Sequence, residues 1–208
     1  MYLYRMPFKK LHPQLQEKLA SFQIESPTPL QCKSIPVIKS GINVFCTAPK
    51  DSGKTTTLIL TTLNRLKFEA VGNAPRAVVL AQDKERAIEL YVAFLAYTQH
   101  TPLRVYVGHE QLHVDIQKSE IFMGIDILIS TPKSMNTLFL MNGVSISELK
   151  IFSVDDAEFL VKQSAYAAML SITQSIKKCQ YVLYAEKMHP MLRRFEDHFM
   201  EYSKKIRL

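Results

Sequence analysis

The sequence predicts an α/β fold, a three-layer α/β/α sandwich around a mostly parallel central sheet, and two of its features do so. Short runs rich in β-branched residues alternate with longer amphipathic segments, the mark of strands joined by crossover helices. Runs such as AVVL (77–80), DILIS (126–130) and YVLY (181–184) are apolar without strict alternation, as strands covered on both faces are.

Seven strands are expected, at 43–47, 77–80, 104–107, 125–130, 151–154, 181–184 and 205–208. Helices are expected at 29–39, 54–68, 84–97, 132–141, 158–176 and 190–202, several with proline in the first turn, where its missing N–H leaves no helical bond unmade. Within the third of these, Ile88, Leu90, Tyr91, Phe94 and Leu95 read as a face packed on the core. No Gly/Ser linker, repeat or low-complexity block divides the 208 residues, so one domain is expected, with ligands gathering at the carboxyl ends of its strands.

Composition narrows the function class. Hydrophobic residues make up 47% and charged residues 22%, which excludes a disordered or fibrous chain. The net charge of +7 favours an acidic partner such as nucleic acid. Cys32, Cys46 and Cys179 are widely spaced with no C-x-x-C, so neither a disulfide framework nor a zinc cluster is expected. His100, His109, His113, His189 and His198 lack ligand spacing with a supporting carboxylate, and no structural metal is assigned. No apolar stretch approaches the ~18 residues of a membrane span, and the N-terminus lacks the pattern of a secretory leader. A soluble, cytoplasmic protein without a membrane partner is expected.

The first strand runs directly into Ala48-Pro49-Lys50-Asp51-Ser52-Gly53-Lys54-Thr55 and then a helix. A strand, a tight loop ending G-K-T and a helix offer backbone N–H groups and a positive helix end to phosphates. Lys54 would reach the β and γ phosphates, and the Thr55 hydroxyl would ligate Mg²⁺. Read alone, the tetrapeptide S-G-K-T also suits an ordinary helix start, and the loop lacks its usual opening glycines.

With the loop in place, the chain resembles the N-terminal RecA-like domain of DEAD-box RNA helicases over nearly its whole length and in the right motif order. The resemblance implies a phosphate-loop NTPase core at 41–208 preceded by an adenine-recognition segment at 1–40. Phe8 and Pro27-Thr28-Pro29-Leu30-Gln31 look like that segment, in which the glutamine bonds the adenine edge and the aromatic stacks on its face. Taken in isolation, Gln31 reads as a solvated helix residue. Val79 to Ala87 is similar to the segment ending P-T-R-E-L-A, with Lys84 in place of its arginine. Val107-Gly108-His109 keeps one glycine of the next pair, and Thr131-Pro132-Lys133-Ser134 looks like T-P-G-R with two replacements. In the family these loops grip the RNA backbone, which assigns Lys84, Gly108, Thr131 and Pro132 to RNA binding. A helix cap and a surface charge explain Thr131 and Lys84 equally well.

The strand end Ile151 to Glu158 reads D-D-A-E where the family has D-E-A-D. By the resemblance Asp155 would hold Mg²⁺ through water and Asp156 would orient the attacking water, with one methylene fewer than the family's glutamate. A solvated acidic cap is the other reading. Tyr184-Ala185-Glu186 stands in place of S-A-T, the segment that couples nucleotide state to RNA, and Glu186 brings a negative charge toward the acidic pair.

Two departures weaken the expected activity. Asp51 sits where the loop has a glycine with φ > 0, and at roughly 5 Å and an effective dielectric of about 20 each like charge costs about 3 kcal/mol before compensation. The resemblance also stops at the last strand, so the second helicase domain is expected to be absent, and with it arginine fingers worth ~10³ to 10⁵ in related hydrolases. The expected function is a helicase-like domain that binds ATP with Mg²⁺, and RNA weakly, with reduced or no hydrolysis alone. A partner protein would supply the second domain. A retired helicase fold serving as a protein or RNA interaction module is the alternative. The basic pairs Lys9-Lys10, Lys177-Lys178, Arg193-Arg194 and Lys204-Lys205 read as solvated charges, or as an RNA-facing surface.

Overall fold

In the computed structural model residues 6–208 are described, so the first five residues of the expected segment 1–40 lie outside it. The strands are β1 (Val44–Thr47), β2 (Ala77–Leu80), β3 (Val105–Gly108), β4 (Ile127–Ser130), β5 (Ile151–Val154), β6 (Gln180–Ala185) and β7 (Lys204–Arg207). They form one sheet in the order β3-β4-β2-β5-β6-β1-β7. Every pairing is parallel, so the sheet has no antiparallel member among the described residues. All seven expected strands form, within a residue or two of their expected bounds.

Alternate residues of each strand point to opposite faces, and both faces are covered. Val79, Val182 and Tyr184 join a core with Leu58, Leu63, Leu90 and Phe94. Val78, Leu80 and Leu183 join a second core with Met135, Leu138, Phe152 and Phe195 on the other face. This two-sided burial is why the strands read as continuous apolar runs. β7 lies at the sheet edge and carries Lys204, Lys205 and Arg207 exposed, charges that discourage further strand pairing.

The helices are α1 (Met6–Lys9), α2 (Pro13–Ser21), α3 (Pro29–Lys39), α4 (Lys54–Leu66), α5 (Lys84–Thr98), α6 (Val114–Met123), α7 (Pro132–Leu140), α8 (Gln163–Thr173) and α9 (Pro190–Arg193). Three of them, α1, α2 and α6, are absent from the expectation. The expected helix 158–176 is broken. A 3-10 turn at Ala157–Val161 sinks Phe159 and Leu160 into the core, and Lys162 is extended before α8 begins. The expected helix 190–202 also stops early, because a 3-10 turn at Arg194–Asp197 brings Phe195 onto Tyr166, with ring centroids 4.7 Å apart. On α5 the packed side is Ala87, Leu90, Phe94 and Tyr97, whereas Ile88 and Leu95 are 37% and 41% exposed and do not join the core as expected.

Candidate nucleotide site

The carboxyl ends of the parallel strands carry the site. After β1 the chain turns through Pro49 to Gly53 into α4, after β2 it enters α5, and after β5 it reaches Asp155 and Asp156. Between them lies a cleft of about 500 Å³ lined by Lys50, Asp51, Lys54, Thr55, Arg86, Asp156 and Glu186 among others.

The loop turns through two left-handed residues. Gly53 and Asp51 are both left-handed, with φ of 92° and 59°, so Asp51 does occupy a place that favours glycine. Ala48 is anchored to the sheet, its N–H donating to the Ala185 carbonyl at 3.0 Å. A Cβ on Gly53 would come within 3.0 Å of Gln31 Nε2 and 3.1 Å of Thr28 Oγ1, so that position accepts little but glycine. The loop and the upstream segment are tied directly, since Thr28 Oγ1 donates to the Ser52 carbonyl at 2.8 Å. Ser52 Oγ itself is buried with no protein partner.

Lys54 opens α4 with its side chain buried. Its Nζ donates to the Ala48 and Pro49 carbonyls at 3.0 and 3.2 Å and stands 3.6 Å from the Asp156 carboxylate. The amine thus lies between the loop carbonyls and the acidic pair. Asp156 is left-handed at φ 44° and half exposed, whereas Asp155 is 1% exposed.

A residue that the sequence reading missed organises the centre of the site. Arg86 Nε donates to Asp155 Oδ2 at 2.7 Å, one terminal nitrogen donates to Thr55 Oγ1 at 2.9 Å, and the other donates to Glu89 at 2.9 Å. Thr55 Oγ1 is also 3.4 Å from Asp155 Oδ1. Burial pushes the Asp155 carboxyl above its ordinary value, and Arg86 pulls it part of the way back. Desolvation opposes the charge on Arg86, but Asp155 and then Glu89 outweigh it and raise the guanidinium above its ordinary value. One signal could have found it. In the register of P-T-R-E-L-A, Arg86 stands where the motif has leucine, so a cation replaces an apolar side chain beside the acidic pair.

The donors expected for Mg²⁺, Thr55 and Asp155, are therefore side by side and of the right chemical type. As the side chains stand, both are engaged by a guanidinium, and the pair does not fit a metal as well.

The remaining expected residues divide between the strand ends and the buried core. Gln31 is buried, not solvated, and its Oε1 accepts from the Thr28 N–H at 2.8 Å in a capping box that starts α3. Phe8 is 7% exposed and packed into the core, outside the residues that line the phosphate cleft. Gly108 ends β3, where a Cβ would lie 2.6 Å from Gln117 Oε1. Thr131 caps α7 by accepting from the Ser134 N–H, Pro132 follows in the first turn, and Thr131 Oγ1 donates to Glu110 at 2.6 Å. Lys84 Nζ donates to Gln111 at 2.5 Å. A second cleft of about 370 Å³ lies here, with Gln82, Glu110, Pro132, Lys133 and Lys162 on its walls. Tyr184 is fully buried, its hydroxyl 3.5 Å from Thr61 Oγ1, and Glu186 reaches the cleft rim. Among the described residues no helix is long and apolar enough to cross a membrane, and no group of three or more His, Cys, Asp or Glu is placed to hold a metal.

Residues 28–187, well over half of the chain, match the family model described as DEAD/DEAH box helicase. Among curated proteins the chain is similar to the ATP-dependent RNA helicase RhlB of Shewanella baltica, 28% identical over 153 residues, 71% of this chain and 35% of that protein. The RhlB of Shewanella oneidensis is 27% identical over the same shares. The chain thus spans about a third of the length of the curated relatives it matches. Among solved structures it is similar to a variant of S. cerevisiae Dbp5 bound to a Gle1 variant and IP6, with a TM-score of 0.87 at 18% identity, covering 99% of this chain and 52% of that one. A DEAD box protein from the hyperthermophile Methanococcus jannaschii gives 0.85 at 18% identity, over 95% of this chain and 54% of that one.

Proposed function

The chain belongs to the DEAD/DEAH box helicase family, and on that premise we propose that it binds an adenine nucleotide in the phosphate loop and RNA weakly at the neighbouring strand ends, with reduced hydrolysis. The observation that carries this reading is the placement of Lys54. Its amine lies between the left-handed loop and the Asp156 carboxylate, 3.6 Å away, so an incoming phosphate meets a cation, a helix N-terminus and the loop amides together. Gln31 is buried against Gly53, and an amide beside that loop supports the adenine reading.

Reduced hydrolysis is supported by the short side chain of Asp156 and by Arg86, which holds the two groups expected to order the metal. Weak RNA binding is supported by Glu110, a carboxylate bonded to the Thr131 hydroxyl that would otherwise face a phosphate. Completion of both clefts by a second domain, within a longer chain or from a partner protein, fits a match that covers about a third of the RhlB relatives. We place the protein in the reducing cytoplasm, a reading supported by three widely spaced cysteines with no C-x-x-C pattern.

A second reading, an interaction module without nucleotide chemistry, is favoured by Tyr184, which stands in place of the family's S-A-T serine and is fully buried with its hydroxyl 3.5 Å from Thr61 Oγ1. Titration with a fluorescent ATP analogue separates the two. Saturable binding below millimolar nucleotide, weakened at least tenfold in Lys54→Ala, is expected. No saturable binding, or equal binding by the variant, favours the module.

A further inference from the structure

We infer that Arg86 takes the place of the divalent metal in this site, so that the phosphate loop holds its nucleotide without requiring a metal. The inference rests on the nucleotide-binding reading above and concerns which cation completes that site. A metal between Thr55 and Asp155 would need their lone pairs, directly or through its water shell. The guanidinium already has them, with Nε on Asp155 Oδ2 at 2.7 Å and a terminal nitrogen on Thr55 Oγ1 at 2.9 Å. Glu89 holds the remaining terminal nitrogen at 2.9 Å, so the planar group is fixed on three sides.

The backbone aims Arg86 there. Asp83 caps α5 by accepting from the Arg86 N–H at 2.9 Å, which sets Arg86 in the first turn of the helix after β2. The Asp155 N–H donates to the Leu80 carbonyl at 2.9 Å, which fastens the end of β5 to the end of β2. The backbone of the two strand ends therefore sets the two side chains against each other.

A buried carboxylate keeps its charge only with a cation beside it; otherwise it takes up a proton. A metal would arrive and leave with the nucleotide, whereas a guanidinium stays attached to the chain and charged at every ordinary pH. Magnesium also demands near-octahedral oxygen geometry with several waters. To admit it, Arg86 must abandon Asp155 and Thr55 together. With Asp155 neutralised from within, the phosphates meet Lys50, Lys54 and the start of α4, and no dication is needed to mask that carboxylate.

The test is fluorescence anisotropy of N-methylanthraniloyl-ADP with the full chain, in EDTA and in magnesium chloride. Wild type, Arg86→Leu and Arg86→Lys are compared after thermal melts have established that each is folded. The wild-type Kd is expected to agree within threefold between the two buffers. Arg86→Leu should bind at least tenfold tighter in magnesium than in EDTA. Should that variant not fold, Arg86→Lys, which keeps the charge but replaces the planar fork with a single, strongly hydrated ammonium, should show at least a threefold preference for magnesium. A wild type that binds tenfold tighter in magnesium overturns the inference and leaves the nucleotide reading standing. Variants as indifferent to magnesium as wild type overturn it too. Absence of saturable binding in either buffer removes the nucleotide reading itself, and the inference with it.

Discussion

Arg86 in the first turn of α5 donates to Asp155 at the end of β5 across 2.7 Å, and this bond makes the two carboxylates of the acidic pair unlike. Asp155 is buried and neutralised by a permanent cation. Asp156, one residue on, is half exposed in a left-handed backbone and faces the amine of Lys54 at 3.6 Å. The first has the character of a structural anchor for the site, the second that of a group able to meet a ligand.

Any ATP hydrolysis by the chain should be slow, and Asp155→Ala should reduce it by at least about tenfold, because Thr55 and Arg86 lose the group that positions them. Phosphate release at saturating ATP measures this. An unchanged rate would mean that these carboxylates are not the site.

Replacing Asp51 by glycine should tighten nucleotide binding. The aspartate is exposed in a left-handed conformation at φ 59°, so glycine removes both backbone strain of ~1 kcal/mol and a negative charge on the cleft wall. Solvent screens that charge, so a gain of about tenfold is expected, less than the unscreened Coulomb figure. Calorimetric titration of Asp51→Gly against wild type checks it.

Glu110→Gln should strengthen RNA binding. The carboxylate takes the Thr131 hydroxyl at 2.6 Å on the wall of the second cleft, near Lys133 and Lys162. Neutralising it removes one repulsive charge from the path of the phosphates, so affinity for a single-stranded oligonucleotide should rise about threefold at low salt and converge with wild type as salt increases. Filter binding across a salt series reads both effects.

Asp126 gives the fold an acid-sensitive joint. Fully buried just before β4, it accepts from Arg76 at 2.7 Å, from Arg104 Nε at 2.9 Å, and from the N–H groups of Val71 and Arg104. Burial pushes its carboxyl up, but the bonds from Arg104 and then Arg76 outweigh this and hold it below the ordinary carboxylate value. A carboxyl lowered on folding contributes stability that is complete above its unfolded value near 3.8 and is lost as pH falls through the lower folded value. Asp126→Asn should cost about 3 kcal/mol at neutral pH, since it leaves Arg76 buried without its counter-charge. The gap between variant and wild type in urea unfolding should narrow as pH falls below that value.

The strands were legible because burial on both faces writes an unbroken apolar run into each, and the phosphate loop because strand, turn and helix follow one another in the chain. α6 was not legible. Of its ten residues only Gln117 and Ile121 are buried, while Ile116, Phe122 and Met123 face outward, so no apolar stripe marks it. The break at Lys162 was hidden because no Gly or Pro marks it between 158 and 176, and Phe159 and Leu160 pack through a 3-10 turn instead. Arg86 shows why a site is harder to read than a fold. Its partners Thr55 and Asp155 come from other strand ends, and nothing periodic in the sequence connects them. The burial of Phe8 and of the Tyr184 hydroxyl likewise depends on which face the completed sheet covers.

The most direct test of the account is a crystal structure of the full chain soaked with ADP. The account predicts phosphate density at the start of α4, with Lys54 Nζ drawn from the Ala48 and Pro49 carbonyls onto a phosphate oxygen. A loop without nucleotide density at millimolar ADP, its lysine still bonded to those carbonyls, would contradict it.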